Sequence, residues 1–264
     1  MKKIYPMSLM FTILALSVVF AQEIKNIEPP LLPRVLEDGV HREKFPSGKT
    51  KSEISYKKGI PDGDFKHYYE NGNLKYEGTF IEGRLNGLLK MYYPTGEIAK
   101  VEPYQDDRVN GVMKIYYKNG NLKEEGSYRD NVLDGVGRDY YLDGTLHREW
   151  NYVDGKREGN FKVYYETGEI QKVMEYKDDM ENGPVVTYHK NGNVFSKGNL
   201  VDGKKEGPFK IYDAQGNLDA EMNFEDDKRD GVFKYYTDGL LVREVTYRNG
   251  EEKARKELLK EMDF

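Results

Sequence analysis

Residues 63–87 read GDFKHYYENGNLKYEGTFIEGRLNG, and this stretch holds one complete structural unit. The segment FKHYY alternates in the manner of a strand and is followed by Asn71-Gly72, a strong hairpin signal because both residues tolerate the positive φ of a primed turn. The second strand is NLKYEGTF, and Glu82-Gly83 forms the turn into the next unit. A unit this short has no room for a crossover helix, so its strands are predicted to be antiparallel.

Two series of glycines repeat this unit along the chain, and such internal repeats decide the architecture. The first series keeps a constant step of 24 residues: Gly39, Gly63, Gly87, Gly111, Gly135, Gly159, Gly183, Gly207 and Gly231. The second keeps the same step from Gly48 through Gly72, Gly96, Gly120, Gly144, Gly168, Gly192 and Gly216, and then reaches Gly239 after 23. The missing residue is assigned to the turn before Gly239. The spacing predicts an all-β protein: an elongated, twisted antiparallel β-meander of about nine 24-residue β-hairpin repeats over residues 38–250, in which neighbours share their apolar columns.

The period-two alternation predicts which side chains form the core. On the first strand of each unit, the core column lies two residues after the first-series glycine: Phe65, Leu89, Met113, Gly137, Phe161, Val185, Phe209 and Phe233. On the second strand, we expect core columns two and eight residues after the turn glycine, beginning at Leu74 and Phe80.

The opposite side of the first strand carries a tyrosine column beside a basic column. The candidate binding residues are Tyr68, Tyr92, Tyr116, Tyr140, Tyr164, Tyr188, Tyr212 and Tyr236, with Lys66, Lys90, Lys114, Arg138, Lys162, Lys210 and Lys234. In the structural interpretation, the rings pack together and against the lysine stems. In the functional interpretation, they form a repeated amphipathic platform for an extended ligand, using stacking and cation–π contacts.

The two ends of the chain differ from the repeats. Residues 1–21 have the features of a signal peptide: Lys2 and Lys3, an apolar run from Leu9 to Phe20, and small residues before a cleavage site. The PPLLP segment within residues 22–37 is expected to be an extended lead-in. At the other end, the spacing of Ala254, Leu258, Leu259 and Met262 predicts a short C-terminal capping helix over residues 251–264.

Composition removes several functional classes. The chain has no cysteine and four histidines, and we expect neither a metal site, nor a cofactor, nor catalytic residues. The formal net charge of −5 in 264 residues argues against nucleic-acid binding. Acidic residues recur at the unit-to-unit turns, where turn formation explains them better than calcium binding. The many acids show no single pair that breaks the repeat symmetry, as a glycan-hydrolysing enzyme would require.

The recurring pattern EG-x-Y/F-x-x-G-x-x-x-G-x-F-K-x-Y-Y-x-N-G-x-L resembles the MORN-repeat family, specifically the variant repeats of bacterial proteins filed as YwqK-like antitoxin components. This resemblance implies an elongated twisted β-meander that acts as a scaffold, a protein-binding array or a membrane-associated element, with no catalysis by the repeat. Phe65, Phe161, Phe209 and Phe233 stand where such repeats often carry Trp. The apparent export signal fits poorly with a cytoplasmic antitoxin.

The function expected from the sequence is that of a non-enzymatic exported repeat protein, in the periplasm, at the cell surface or secreted. Its sheet would bind a partner protein or an extended polymer, and no nucleic acid. One alternative is association with a membrane surface or anionic lipid through the basic column, as a peripheral contact. A second alternative is inhibitory binding like that of an antitoxin.

Overall fold

The computed structural model describes residues 37–258, and all regular structure in this range is β-strand. The expected signal peptide, residues 22–36 of the lead-in, and residues 259–264 lie outside the described residues. The strands are β1 Gly39–Lys44, β2 Thr50–Lys57, β3 Ile60–Tyr68, β4 Leu74–Ile81, β5 Arg84–Tyr92, β6 Ile98–Gln105, β7 Arg108–Val109, β8 Gly111–Tyr116, β9 Leu122–Arg129, β10 Val132–Tyr140, β11 Leu146–Val153, β12 Lys156–Arg157, β13 Gly159–Tyr164, β14 Ile170–Lys177, β15 Met180–Tyr188, β16 Val194–Val201, β17 Lys204–Tyr212, β18 Leu218–Glu225, β19 Lys228–Arg229, β20 Gly231–Thr237, β21 Leu240–Arg248 and β22 Glu251–Glu257.

These strands form a single antiparallel sheet of 22 strands in which pairing follows chain order. The two-residue strands β7, β12 and β19 are the beginnings of longer strands, since β6 pairs with both β7 and β8, and the other two cases are equivalent. Among the described residues, β1 pairs only with β2 and β22 only with β21, so the sheet is open. The all-β meander expected from the sequence is confirmed.

The hairpin turn and the unit-junction turn have different geometries. At Asn71-Gly72 only the glycine has a positive φ, of 98°, and Gly72 N donates to Tyr69 O while Tyr69 N donates to Asn73 O. This is the pattern of a type I turn followed by a glycine bulge, so the primed turn predicted here is wrong. The primed turn lies at the unit junction instead, where Glu82 and Gly83 have φ of 49° and 81°.

The shortened spacing before Gly239 is explained by a change of turn. Thr237 pairs directly with Leu240, and the two residues between them, Asp238 and Gly239, both have positive φ. The bulged hairpin turn of the other units is thus replaced by a two-residue primed turn. Loss of one turn residue leaves the strand pairing on either side intact.

The first glycine series marks a bulge within the sheet. Between β4 and β5 the pairing passes from Thr79–Asn86 to Glu77–Lys90, so one residue, Gly78, faces three on β5. Gly87 is among those three and has a φ of 88°, a conformation that side-chain-bearing residues rarely adopt. Because bulges bend a strand and increase its twist, their repetition adds twist once per unit.

One face of the sheet, the core face, buries the apolar side chains. Phe65 is 1% exposed and lies over Gly78 of the paired strand, where an added Cβ would fall 2.9 Å from the ring. Phe209 covers Gly198 in a similar way. Matching a large side chain with a glycine across the strands lets rings lie flat on the backbone of a single-layered sheet. Burial of each large side chain contributes roughly 1.5–3 kcal/mol.

The column that begins at Leu74 is not part of this core, which corrects the sequence prediction. Tyr68 pairs with Leu74 but the preceding His67 pairs with Tyr76, so Lys75 is an extra residue on the second strand. One extra residue reverses the alternation and moves Leu74 to the face that carries Tyr68. Its equivalents Ile98 and Ile170 remain 39% and 36% exposed.

The predicted C-terminal capping helix is wrong. Residues Glu251–Glu257 form β22, which pairs with β21 after a primed turn at Asn249-Gly250. Leu258 N then donates to Val242 O. A strand satisfies the backbone groups along the edge of β21, which a helix laid across the last hairpin would leave unpaired.

Candidate binding surfaces

The tyrosine column and the basic column lie together on the face opposite the core, here called the tyrosine face. The eight tyrosines are all half-buried. The basic residues are half-buried or exposed beside them, as expected from the alternation. The structure therefore brings the sequence-predicted candidates onto one surface.

A glutamate column missed in the sequence runs beside the basic column and neutralises much of it. Register places Lys66 opposite both Glu53 and Glu77, and Arg138 opposite both Glu125 and Glu149. The signal was available in the sequence, because a glutamate stands five residues after six of the nine turn glycines. Ion pairs join Lys90 to Glu77 (3.6 Å), Lys114 to Glu125 (3.8 Å), Arg138 to Glu125 (3.3 Å) and Glu149 (2.8 Å), Lys162 to Glu149 (3.8 Å), and Lys210 to Glu221 (2.8 Å).

The same carboxylates accept hydrogen bonds from four of the eight tyrosines. Tyr92 Oη donates to Glu77 (2.7 Å), and Tyr140 Oη donates to Glu125 (2.9 Å). Burial, together with these carboxylates, raises the pKa of both hydroxyls to about 12. Tyr68 and Tyr236 donate to Glu53 and Glu221. In the part of the chain that is described, four hydroxyls of this column make no hydrogen bond: those of Tyr116, Tyr164, Tyr188 and Tyr212.

The second tyrosine of each Tyr-Tyr pair has a structural role that the sequence reading did not assign. Tyr117 Oη donates to the backbone oxygen of Tyr140, one unit further along, at 2.8 Å. His189 keeps the pattern by placing Nε2 2.9 Å from Tyr212 O. Equivalent bonds link Tyr69 to Tyr92, Tyr93 to Tyr116, Tyr141 to Tyr164 and Tyr165 to Tyr188. These bonds join consecutive hairpins, which explains why the units are stable together.

An exposed apolar row borders the tyrosine face in the first half of the array. Leu88, Val112 and Val136 occupy the same position in three consecutive units and are 53%, 45% and 39% exposed. In each unit this position lies two residues before the basic residue and four before the tyrosine. The row gives the face an apolar component that the basic column alone lacks.

Side-chain oxygens at the acidic turns accept hydrogen bonds from backbone groups of neighbouring units, so these oxygens are not free to act as metal ligands. Asp107 Oδ1 accepts from Leu85 N (2.8 Å), and Asn131 Oδ1 accepts from Val109 N (2.7 Å). Lysines pair across the same turns, for example Lys156 with Asp178 at 2.7 Å. Between residues 37 and 258, no group of three or more His, Asp or Glu side chains is placed to hold a metal ion.

The core face contains a pocket near the middle of the sheet, here called the central pocket, with a volume of about 350 Å³. Its lining includes Gly126 and Gly137, whose lack of a side chain leaves room for neighbouring side chains such as Trp150. Aromatic rings and charged side chains enclose it, among them Tyr128, Trp150, Tyr152, Phe161 and Tyr176, with Glu124, Asp139, His147, Arg148 and Arg157. Trp150 and Phe161 are stacked with centroids 6.3 Å apart.

Charged residues in this pocket break the repeat symmetry, contrary to the sequence expectation that no acidic pair does so. Glu124 of β9 lies directly opposite Asp139 of β10. Burial, with the Asp139 carboxylate as a smaller cause, raises the pKa of Glu124 to about 7. Arg148 forms an ion pair with Asp139, and burial lowers the pKa of the adjacent His147. Both carboxylates are visible in the sequence, but only the strand register shows that Glu124 and Asp139 lie opposite each other.

A buried ion pair lies one unit before the pocket. Lys100 Nζ is 2.6 Å from Glu102 Oε1, and the two side chains are 9% and 2% exposed. Glu102 occupies the core-face position where neighbouring units have Gly78 and Gly126. Burial and the adjacent Glu102 raise the pKa of Tyr104 well above its ordinary value. The middle of the core face is therefore much more polar than its ends.

These features define an all-β repeat protein built from consecutive hairpins. The model of the MORN repeat variant family matches seven segments, 37–58, 61–82, 85–106, 109–130, 133–154, 157–178 and 205–226. Together they cover more than half of the chain, and the protein belongs to the MORN repeat variant family. The match gives seven repeats rather than about nine, and it does not extend to the YwqK-like subtype. In the unmatched stretches, the hairpin pairing of β15 with β16 and of β20 with β21 continues.

The comparison with curated proteins finds no match. Among solved structures, a TcdB2-TccC3-Cdc42 complex is similar at 12% identity and a TM-score of 0.22, covering 80% of this chain and 14% of that chain. A Photorhabdus luminescens Tc holotoxin pore gives 12% identity and a TM-score of 0.21, with 80% and 13% covered. The chain thus spans about one seventh of the length of these structures, and scores this low establish no shared overall shape.

No helix in residues 37–258 is long and apolar enough to cross a membrane.

Proposed function

We propose that this protein is a non-enzymatic, exported scaffold whose tyrosine face docks a partner protein. The observation that carries the proposal is the regular series of half-buried tyrosines, four of whose hydroxyls remain available for hydrogen bonding. Tyrosine supplies a large contact area at low entropic cost and is enriched at protein interfaces. Membership of a repeat family that generally acts as a non-catalytic binding module supports the absence of enzymatic activity. The N-terminal sequence pattern supports export.

A protein partner fits this face better than an anionic lipid surface. The basic residues are largely paired with the glutamate column, so they present alternating charges instead of a positive stripe. Anionic membranes attract clusters of unpaired Lys and Arg. Alternating ion pairs, tyrosine rings and the apolar row of Leu88, Val112 and Val136 match the mixed chemistry of a protein interface.

The test uses the triple variant Tyr116→Ser, Tyr164→Ser, Tyr188→Ser as bait for crosslinking and mass spectrometry in the native cell envelope. All three hydroxyls are unbonded in the described residues, so the change removes contact area without breaking an internal bond. A matched control changes three exposed junction residues away from the face: Glu82→Ser, Asp154→Ser and Asp202→Ser.

We expect a partner captured by the wild type and the control to be lost from the tyrosine variant while circular dichroism is unchanged. Equal capture by all three baits would reject this face. Salt-sensitive co-sedimentation of the wild type with anionic vesicles, weakened by Lys114→Gln and Lys162→Gln, would favour the lipid alternative instead.

A further inference from the structure

The central pocket has the size and lining of a small-molecule site and lies on the face opposite the proposed docking surface. Its volume of about 350 Å³ falls within the usual range for ligand pockets. Trp150, Phe161 and Tyr128 supply apolar walls, and Gly126 and Gly137 also line the pocket. A second pocket on the core face, of about 410 Å³, has no tryptophan in its lining.

The pocket contains more negative charge than its own cations compensate. Arg148 is bound to Asp139 through Oδ2, whereas the buried Asp139 Oδ1 has no hydrogen-bond partner and lies 3.4 Å from His147 Nδ1. Among the described residues, the Glu124 side chain makes neither a hydrogen bond nor an ion pair. An ionised carboxylate held away from water without a partner is strongly unfavourable.

The other cations near the pocket are paired or exposed to solvent. Lys100 is paired with Glu102 at 2.6 Å. Arg157 is paired with Asp179 at 3.1 Å and stacks on the ring of Tyr176. Lys123 is exposed, and its Nζ lies 5.9 Å from the Tyr117 ring centroid. Burial lowers the pKa of the adjacent His147, which disfavours its charged form, so these arrangements leave Glu124 and one oxygen of Asp139 for an external cation.

We propose that the central pocket binds a small organic ammonium ion, with its apolar body against the wall formed by Trp150 and Phe161 and its charged group at Glu124 and Asp139. Aromatic walls attract such a cation through their π faces, and the two carboxylates supply the charge-assisted hydrogen bonds. A neutral or anionic molecule of the same shape would leave the carboxylates unpaired. The lining also includes Glu125 and Tyr140 of the tyrosine face, but the contacts proposed for the ligand differ from Tyr116, Tyr164 and Tyr188, so this proposal and the scaffold function can fail separately.

The pH dependence of binding follows from the groups that face Glu124. Burial and Asp139 raise its pKa to about 7, whereas Lys123, Arg148 and Lys100 act in the opposite direction. A bound ammonium favours the ionised carboxylate. The affinity of the wild type for the ammonium ion should therefore rise between pH 6 and pH 8. A variant that cannot ionise at position 124 should show no such rise.

The experiment uses Trp150 as a reporter, because it is the single tryptophan of the chain and lies in the pocket wall. Phenethylammonium is titrated into the protein at pH 8 while tryptophan fluorescence is followed. The matched neutral probe is 2-phenylethanol, which has the same ring and a hydroxyl in place of the amine. Isothermal titration calorimetry repeats the comparison without relying on fluorescence.

We expect saturable binding of phenethylammonium and at least about tenfold weaker binding of the alcohol. Glu124→Gln should weaken the binding of phenethylammonium about tenfold or more, whereas Glu77→Gln on the tyrosine face should not change this affinity. Equal affinity for amine and alcohol, unchanged affinity in Glu124→Gln, or no saturation in calorimetry would each overturn the proposal. Trp150→Ala, measured by calorimetry, should weaken both probes, and full retention of amine binding would contradict the assigned wall.

Discussion

Trp150 lies directly on the backbone of Gly137, its partner across β10 and β11, with an added Cβ at Gly137 falling 2.7 Å from Trp150 Cε2. In the second hairpin the same pair of positions is reversed, since Phe65 covers Gly78. The sheet therefore accepts a large ring at this level from either strand of a hairpin. Near Trp150 the exchange places the indole in the lining of the central pocket.

Gly137→Ala should destabilise the protein by about 1–3 kcal/mol, because the new methyl group displaces the Trp150 ring. The double variant Gly137→Phe, Trp150→Gly recreates the Phe65–Gly78 arrangement and should recover much of the loss. Urea unfolding midpoints measure both effects. A double variant no more stable than Trp150→Gly alone would show that the two positions are not interchangeable.

Tyr117→Phe should lower the free energy of unfolding by about 1 kcal/mol, because the hydroxyl bond to Tyr140 O joins two hairpins. Tyr116→Phe is the matched control, since its neighbouring hydroxyl makes no hydrogen bond in the described residues and its removal should cost little. The comparison uses urea unfolding of both variants under identical conditions. Equal losses would contradict the distinction between the two tyrosines of the pair.

Glu124 should make stability fall as pH rises. Its folded-state pKa of about 7 lies above the ordinary value of 4.5, so its contribution is fully present below pH 4.5 and is lost as pH passes 7. This shift in the pKa of Glu124 corresponds to a change in the free energy of unfolding on the order of 2–3 kcal/mol. The difference in the free energy of unfolding between pH 5 and pH 8 should be smaller for Glu124→Gln than for the wild type. An identical difference would mean that Glu124 titrates normally.

The buried pair of Lys100 and Glu102 should behave as a unit. Glu102→Met leaves the buried lysine without its partner and should cost about 3–5 kcal/mol. Adding Lys100→Met should restore most of this loss, since apolar side chains suit the core face. A double-mutant cycle by chemical unfolding measures the coupling, and additive effects would show that the pair is not coupled.

The sequence by itself determined the strands, the hairpin order and the positions of both turns, because these depend on local alternation and on residues that accept positive φ. Gly72 and Gly87 show this directly, because each has a positive φ that residues with a side chain rarely adopt. The strand at Glu251–Glu257 was mistaken for a helix because its apolar spacing carried no information about the open edge beside it.

Only the tertiary structure decided which columns meet. A single extra residue in each hairpin, such as Lys75, reverses the face of Leu74, and no period-two count reveals where that residue falls. The same register pairs Lys90 with Glu77 and places Glu124 opposite Asp139. Contacts between strands depend on bulges that shift alignment by whole residues, so the charge balance of the tyrosine face and the central pocket could be known only from the assembled sheet.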